Sequence, residues 1–160
     1  MSSCVFPGSF DPVTRGHMDL IRRAARIFDR VQVTVMINVH KQGAIPPEKR
    51  AELLRKACAG LDNVRVDIWD GLLAEYVRQT GVDCVIRGVR NASELDAETT
   101  AAAVNRMILP GMETVLMPAS EEMACVSSSA VREIAAFGGN ICSFVPEEIA
   151  EEIAGLLANK

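Results

Sequence analysis

The chain has 160 residues, 49% of them hydrophobic, which is enough for one domain (1–160) with a proper core. Its 17 Lys and Arg against 21 Asp and Glu leave a net charge of −4, which argues against a backbone track for DNA or RNA. No apolar run is long enough to span a bilayer, and Met1-Ser2-Ser3-Cys4 leads into a strand without the basic and apolar regions of a signal peptide, so a cytoplasmic protein is expected.

Apolar runs alternate with stretches of helical period, the pattern of a parallel α/β sheet. Strands are expected at Ser3–Phe6, Val31–Ile37, Val64–Ile68, Cys84–Ile86 and Thr114–Met117, each short and mostly β-branched or apolar. Met18, Ile21, Ala24, Ala25 and Phe28 share one helical stripe, and so do Ala51, Leu54, Ala57, Cys58 and Leu61. Pro46-Pro47-Glu48 opens the second of these helices. A third runs from about Leu72 to Thr80 and stops at Gly81; a fourth runs from about Ala92 to Ile108 and stops before Pro110. Ser129–Phe137 and Pro146–Ala158 complete a Rossmann-like, doubly wound five-stranded domain, whose ligands belong at the carboxyl ends of the strands. The cysteines Cys4, Cys58, Cys84, Cys125 and Cys142 form no Cys-x-x-Cys pair and read as reduced core thiols.

Those carboxyl ends carry the chemistry. The first strand exits into Pro7-Gly8-Ser9-Phe10-Asp11-Pro12-Val13-Thr14-Arg15-Gly16-His17, which places an imidazole and free N–H groups at a helix N-terminus, where anions are favoured. The segment is neither a Walker A loop nor a Gly-x-Gly-x-x-Gly fingerprint. Asn38-Val39-His40-Lys41 follows the second strand and Arg87-Gly88-Val89-Arg90 the fourth, a basic cluster in an acidic chain that suits a highly charged phosphate. Taken singly, Lys41 reads equally as a solvated loop lysine and Arg90 as an ion-pair partner of Glu94, whereas Arg87 follows Val85-Ile86 and needs a partner. In Val126-Ser127-Ser128-Ser129 at least one serine is an N-cap, with hydroxyls and amides to spare for phosphates.

Taken together, Gly8-Ser9-Phe10-Asp11-Pro12 with Gly16-His17, Arg87-Gly88-Val89-Arg90 and Val126-Ser127-Ser128-Ser129 resemble the phosphopantetheine adenylyltransferase family over nearly the whole chain. Thr14 stands where many relatives in the wider superfamily carry the first His of His-x-Gly-His, as in this branch. The resemblance implies an Mg²⁺-dependent transfer of AMP from ATP to 4′-phosphopantetheine, giving dephospho-CoA and pyrophosphate, and a homohexamer. It implies a 4′-phosphopantetheine site at Ser9, Lys41, Leu73 and Arg87. ATP would be held by Ser9, Phe10, His17, Gly88, Val89, Arg90 and Glu98, and by Met123, Ala124, Cys125, Val126, Ser127, Ser128 and Ser129. Leu95, Ala97 and Met123 depart from the aromatic residues frequent at those places.

The mechanism expected is in-line attack by the acceptor phosphate, with His17, Lys41 and Arg90 as the catalytic groups and no covalent intermediate. No carboxylate cluster has metal spacing, so Mg²⁺ is expected to ride on the triphosphate and water. Adenylyltransferases acting on nicotinate mononucleotide, cytidylyltransferases acting on alcohol phosphates, and an ATP-binding module without chemistry remain as alternatives at this stage.

Overall fold

Alternation within the strands decides which helix lies on which face. In the computed structural model, which describes residues 1–37 and 42–158, the strands β1 (Ser3–Gly8), β2 (Arg30–Met36), β3 (Val64–Trp69), β4 (Cys84–Val89) and β5 (Thr114–Pro118) form one parallel sheet in the order β3-β2-β1-β4-β5. Cys4 and Phe6 of β1, Val31, Val33 and Val35 of β2, and Cys84 and Ile86 of β4 all enter one core, while Val5 and Val85 enter the other.

The larger core is closed by α1 (Arg15–Ile27), α2 (Pro47–Ala57), α5 (Ser128–Ala136) and α6 (Ala150–Ala158), which contribute Met18, Ile21, Leu53, Leu54, Val131 and Ile153. On the other face α3 (Leu73–Thr80) buries Ala74, Tyr76 and Val77, and its end is set by Gly81, whose φ of 64° is the left-handed cap a side chain would resist. The remaining helix, α4 (Ala92–Ile108), buries none of its residues.

Several element ends differ from the sequence reading. Arg87, Gly88 and Val89 lie inside β4 instead of after it, because their backbones stay paired with Leu116, Met117 and Pro118 where the apolar run has already stopped. The last helix is a 3-10 turn at Glu147–Ile149 followed by α6, and a further 3-10 turn, Glu121–Met123, precedes α5. All five cysteines are free, but only Cys4, Cys58 and Cys84 are buried; Cys125 and Cys142 are exposed and are not core thiols. Among the described residues, no helix is long and apolar enough to cross a membrane.

Candidate active site

The strand order reverses between β1 and β4, and the cavity opens at their carboxyl ends. It measures about 300 Å³ and is walled by the β1–α1 loop, the end of β4 and the start of α5.

His17 is fixed by the helix it opens. Thr14 is the N-cap of α1; its hydroxyl accepts from His17 N–H at 3.3 Å, and its own N–H donates to His17 Nδ1 at 3.0 Å. A backbone N–H can only donate, so Nδ1 presents its lone pair and the ring proton resides on Nε2. Phe10 packs edge-on against the imidazole with ring centroids 4.9 Å apart, and Phe6 lies beyond it. Burial, and then the charges of Arg90 and Arg87, lower the His17 pKa to about 4. His17 is therefore a neutral donor near neutral pH. Thr14 holds the ring from behind, which gives a physical role to the residue that replaces the first histidine.

The two arginines of β4 and its exit are each held by a carboxylate of α4. Arg87 donates Nε and Nη2 to the two oxygens of Glu98 at 2.8 and 2.6 Å, and Nη1 to the Pro7 carbonyl at 2.7 Å. A guanidinium has five N–H donors, so one remains on each terminal nitrogen for a ligand. Arg90 pairs with Glu94 and donates Nη1 to the Val126 carbonyl at 3.2 Å. Arg90 anchors the serine segment while standing at the cavity wall.

The serine hydroxyls are engaged within the protein. Ser127 caps α5 by accepting from Ala130 N–H, Ser128 donates to the Pro12 carbonyl at 2.7 Å, and Ser129 accepts from Arg132. Gly88 lies where α1 crosses β4: a Cβ there would come 2.3 Å from Leu20 Cδ1. The adjoining cavity space depends on that close approach.

A second groove, of about 410 Å³, shares Pro7, Arg87 and Glu98 with the first and continues past Leu73, Met36 and Ala101. The Arg87–Glu98 pair therefore borders both.

A family model described as cytidylyltransferase-like matches residues 5–134. Proteins named phosphopantetheine adenylyltransferase from Clostridium perfringens, Rubrobacter xylanophilus and Deinococcus radiodurans are 44%, 42% and 49% identical to the chain. The alignments span 93%, 96% and 90% of the chain and 91%, 93% and 87% of those relatives. The chain belongs to the phosphopantetheine adenylyltransferase family. It is a nucleotidyltransferase with an α/β fold. A Vibrio parahaemolyticus protein described as a nicotinate-nucleotide adenylyltransferase has a solved structure that superposes with a TM-score of 0.69 over 100% of the chain and 98% of its own length. At 18% identity that likeness concerns the fold alone.

Of the residues the family resemblance assigns, Ser9, His17, Arg87, Gly88, Val89, Arg90, Glu98, Met123, Val126, Ser127 and Ser128 wall the cavity. Leu73 lies in the second groove instead. Phe10, 1% exposed, packs against His17 and does not line the cavity; Ala124, Cys125 and Ser129 also lie off its wall. Lys41 lies outside the described residues. Leu20 and Ala119 line the cavity without any sequence signal, since only the crossing of α1 and the turn after β5 bring them there.

Proposed function

We propose that the chain transfers the adenylyl group of ATP to 4′-phosphopantetheine, giving dephospho-CoA and pyrophosphate, by direct in-line displacement. The observation that carries the chemistry is one cavity holding a neutral, oriented imidazole and two guanidinium groups. The family supplies the acceptor.

A phosphate oxyanion is already a nucleophile, so the protein's work is to hold two anions in register and to stabilise charge on the α-phosphate and the leaving pyrophosphate. His17 Nε2–H donates to the α-phosphate. Arg87, through its remaining N–H pair, and Lys41 receive the acceptor phosphate together with Ser9. Arg90 and the amide of Ser128, on the cavity wall at the start of α5, meet the β- and γ-phosphates. Arg90 exchanges Glu94 for phosphate as ATP enters, since the pair is partly exposed and each partner can be rehydrated. The groove beyond Arg87, with Leu73 on its wall, takes the pantetheine arm.

Among the described residues, no three acids, histidines or cysteines converge on a metal position, and the cavity's carboxylates Glu94 and Glu98 are both occupied by arginine. We therefore place Mg²⁺ on the triphosphate and water, where it would supply charge neutralisation for the leaving pyrophosphate. We also propose a homohexamer, supported by the uncovered α4, and a cytoplasmic location, supported by five free thiols. The test is incubation with ATP, Mg²⁺ and 4′-phosphopantetheine, with mass detection of dephospho-CoA. Product from CTP with an alcohol phosphate, or from nicotinate mononucleotide, in place of dephospho-CoA would end this reading.

A further inference from the structure

The end of β1 and the loop that follows it are held by their carbonyls. Pro7 O accepts from Arg87, Ser9 O from Arg50 at 2.7 Å, Asp11 O from Arg132 and Pro12 O from Ser128. The Asp11 carboxylate in addition accepts the N–H groups of Ala44 and Ile45 at 2.7 and 2.8 Å. Among these contacts, Arg50 grips the Ser9–Phe10 peptide plane.

Arg50 is unusual in itself. It is 6% exposed, and among the described residues its Nε has no hydrogen-bond partner and no carboxylate forms an ion pair with it. A buried guanidinium in that condition is costly unless it serves something nearby. Its remaining neighbours are close: a Cβ on Gly43 would come 3.1 Å from Arg50 Nη2 and 3.2 Å from Asp11 Oδ2. The group is wedged between the β1–α1 loop and the segment that leads into α2.

Phe10 completes the observation. Its φ is 47°, the left-handed region that a bulky residue rarely adopts. The peptide bond is planar, with its C=O and N–H on opposite sides. With the Ser9 carbonyl turned back to Arg50, the Phe10 N–H is turned away from Arg50, and no described group accepts it. Turning that plane over would bring Phe10 to a φ of about −130°, ordinary extended backbone, and would reverse both dipoles.

We propose that Arg50 is a positioning residue that holds the Ser9–Phe10 peptide in its strained orientation, and with it the place of Ser9 on the cavity wall that receives the triphosphate. The inference rests on the proposed reaction for its ligand and on this chain's backbone for its geometry. Arg50→Met removes the donors and keeps most of the length, whereas Arg50→Lys keeps one cation able to reach the Ser9 carbonyl. Steady-state kinetics should give Arg50→Met a KM for ATP raised about tenfold, with Arg50→Lys between it and wild type. A crystal structure of Arg50→Met should show Phe10 at negative φ. A positive φ at Phe10 in that crystal, or a KM for ATP within twofold of wild type, overturns the proposal. If Arg50→Met does not fold, Arg50→Gln, too short to reach the carbonyl, is read on the same two quantities. Should the wild type release no pyrophosphate from ATP and 4′-phosphopantetheine, the proposed reaction falls instead, and the Phe10 torsion in the variant crystal still decides the role of Arg50.

Discussion

A neutral histidine at an anion site gains nothing from its own charge, so its contribution rests on the direction of one N–H. Thr14 sets that direction through Nδ1, and burial beside two arginines keeps the ring unprotonated. His17→Ala should therefore lower kcat on the order of a hundred- to thousand-fold while KM for both substrates moves little, measured by pyrophosphate release. The same environment fixes a pH dependence. The folded-state pKa of about 4 lies below the ordinary 6.5, so the unfolded chain binds the extra proton first and stability falls as pH drops from 6.5 through 4. Thermal melts at pH 7 and pH 4.5 should show wild type losing more than His17→Asn. Turnover should show no ionisation of His17 between pH 6 and 8. The chemistry-bearing residues here were readable because the spacing of a capping box and of a strand exit is local. The partners that occupy Arg87 and Arg90 were only half readable: Glu94 lies one turn from Arg90, but Glu98 reaches Arg87 only once α4 packs beside β4.

At the scale of elements, two contacts decide how the helices sit on the sheet. Gly88 lets α1 approach β4, and a methyl group there meets Leu20, itself 6% exposed. Gly88→Ala should cost about 1–3 kcal/mol by overpacking and raise KM for ATP, and Leu20→Val in the same chain should recover part of both, as a double-mutant cycle would show. On the opposite face, the Tyr76 hydroxyl donates to Asp67 Oδ2 at 2.8 Å and ties α3 to β3. The other oxygen of Asp67 is buried without a partner among the described residues, and the hydroxyl of Thr34, its register partner on β2, lies beside the Tyr76 hydroxyl. Tyr76→Phe adds a further unpaired oxygen and should destabilise by about 1–3 kcal/mol, seen as a Tm lower by several degrees. Five strands in the right places were legible because strands covered on both faces are written as short apolar runs. Their ends were not, since the ladder at Arg87–Val89 continues on backbone pairing that polar side chains and a glycine do not announce.

For the whole molecule, the two faces of the sheet are unequally covered, and that asymmetry bears on assembly. Four helices close the face behind Phe6 and Val33, whereas α4 leaves Val104, Met107 and Ile108 exposed at 50%, 85% and 43%. These three positions follow i, i+3 and i+4 spacing and form one strip, while Leu95, 44% exposed, faces elsewhere. Val115, 42% exposed, lies on β5, an edge strand of the sheet, and shares the face of its register partner Ile86, opposite the face where α4 holds Arg87. An apolar strip beside an unpaired sheet edge is what a second copy of the chain would cover, and repetition of one such contact closes a ring only at a fixed rotation. Glu94 and Glu98, on the same helix, hold Arg90 and Arg87, so whatever immobilises α4 also steadies both arginines. Val104→Glu combined with Met107→Glu, both remote from the cavity wall, should therefore do two things at once. Light scattering on a sizing column should show a mass near six times 17.3 kDa for wild type and a smaller species for the variant. Kinetics should show KM rising for both substrates, because Arg87 and Arg90 would then rest on a helix free to shift. A wild type that elutes at 17.3 kDa, or a dissociated variant with unaltered KM values, would separate the assembly from the site and remove α4 from the account of either.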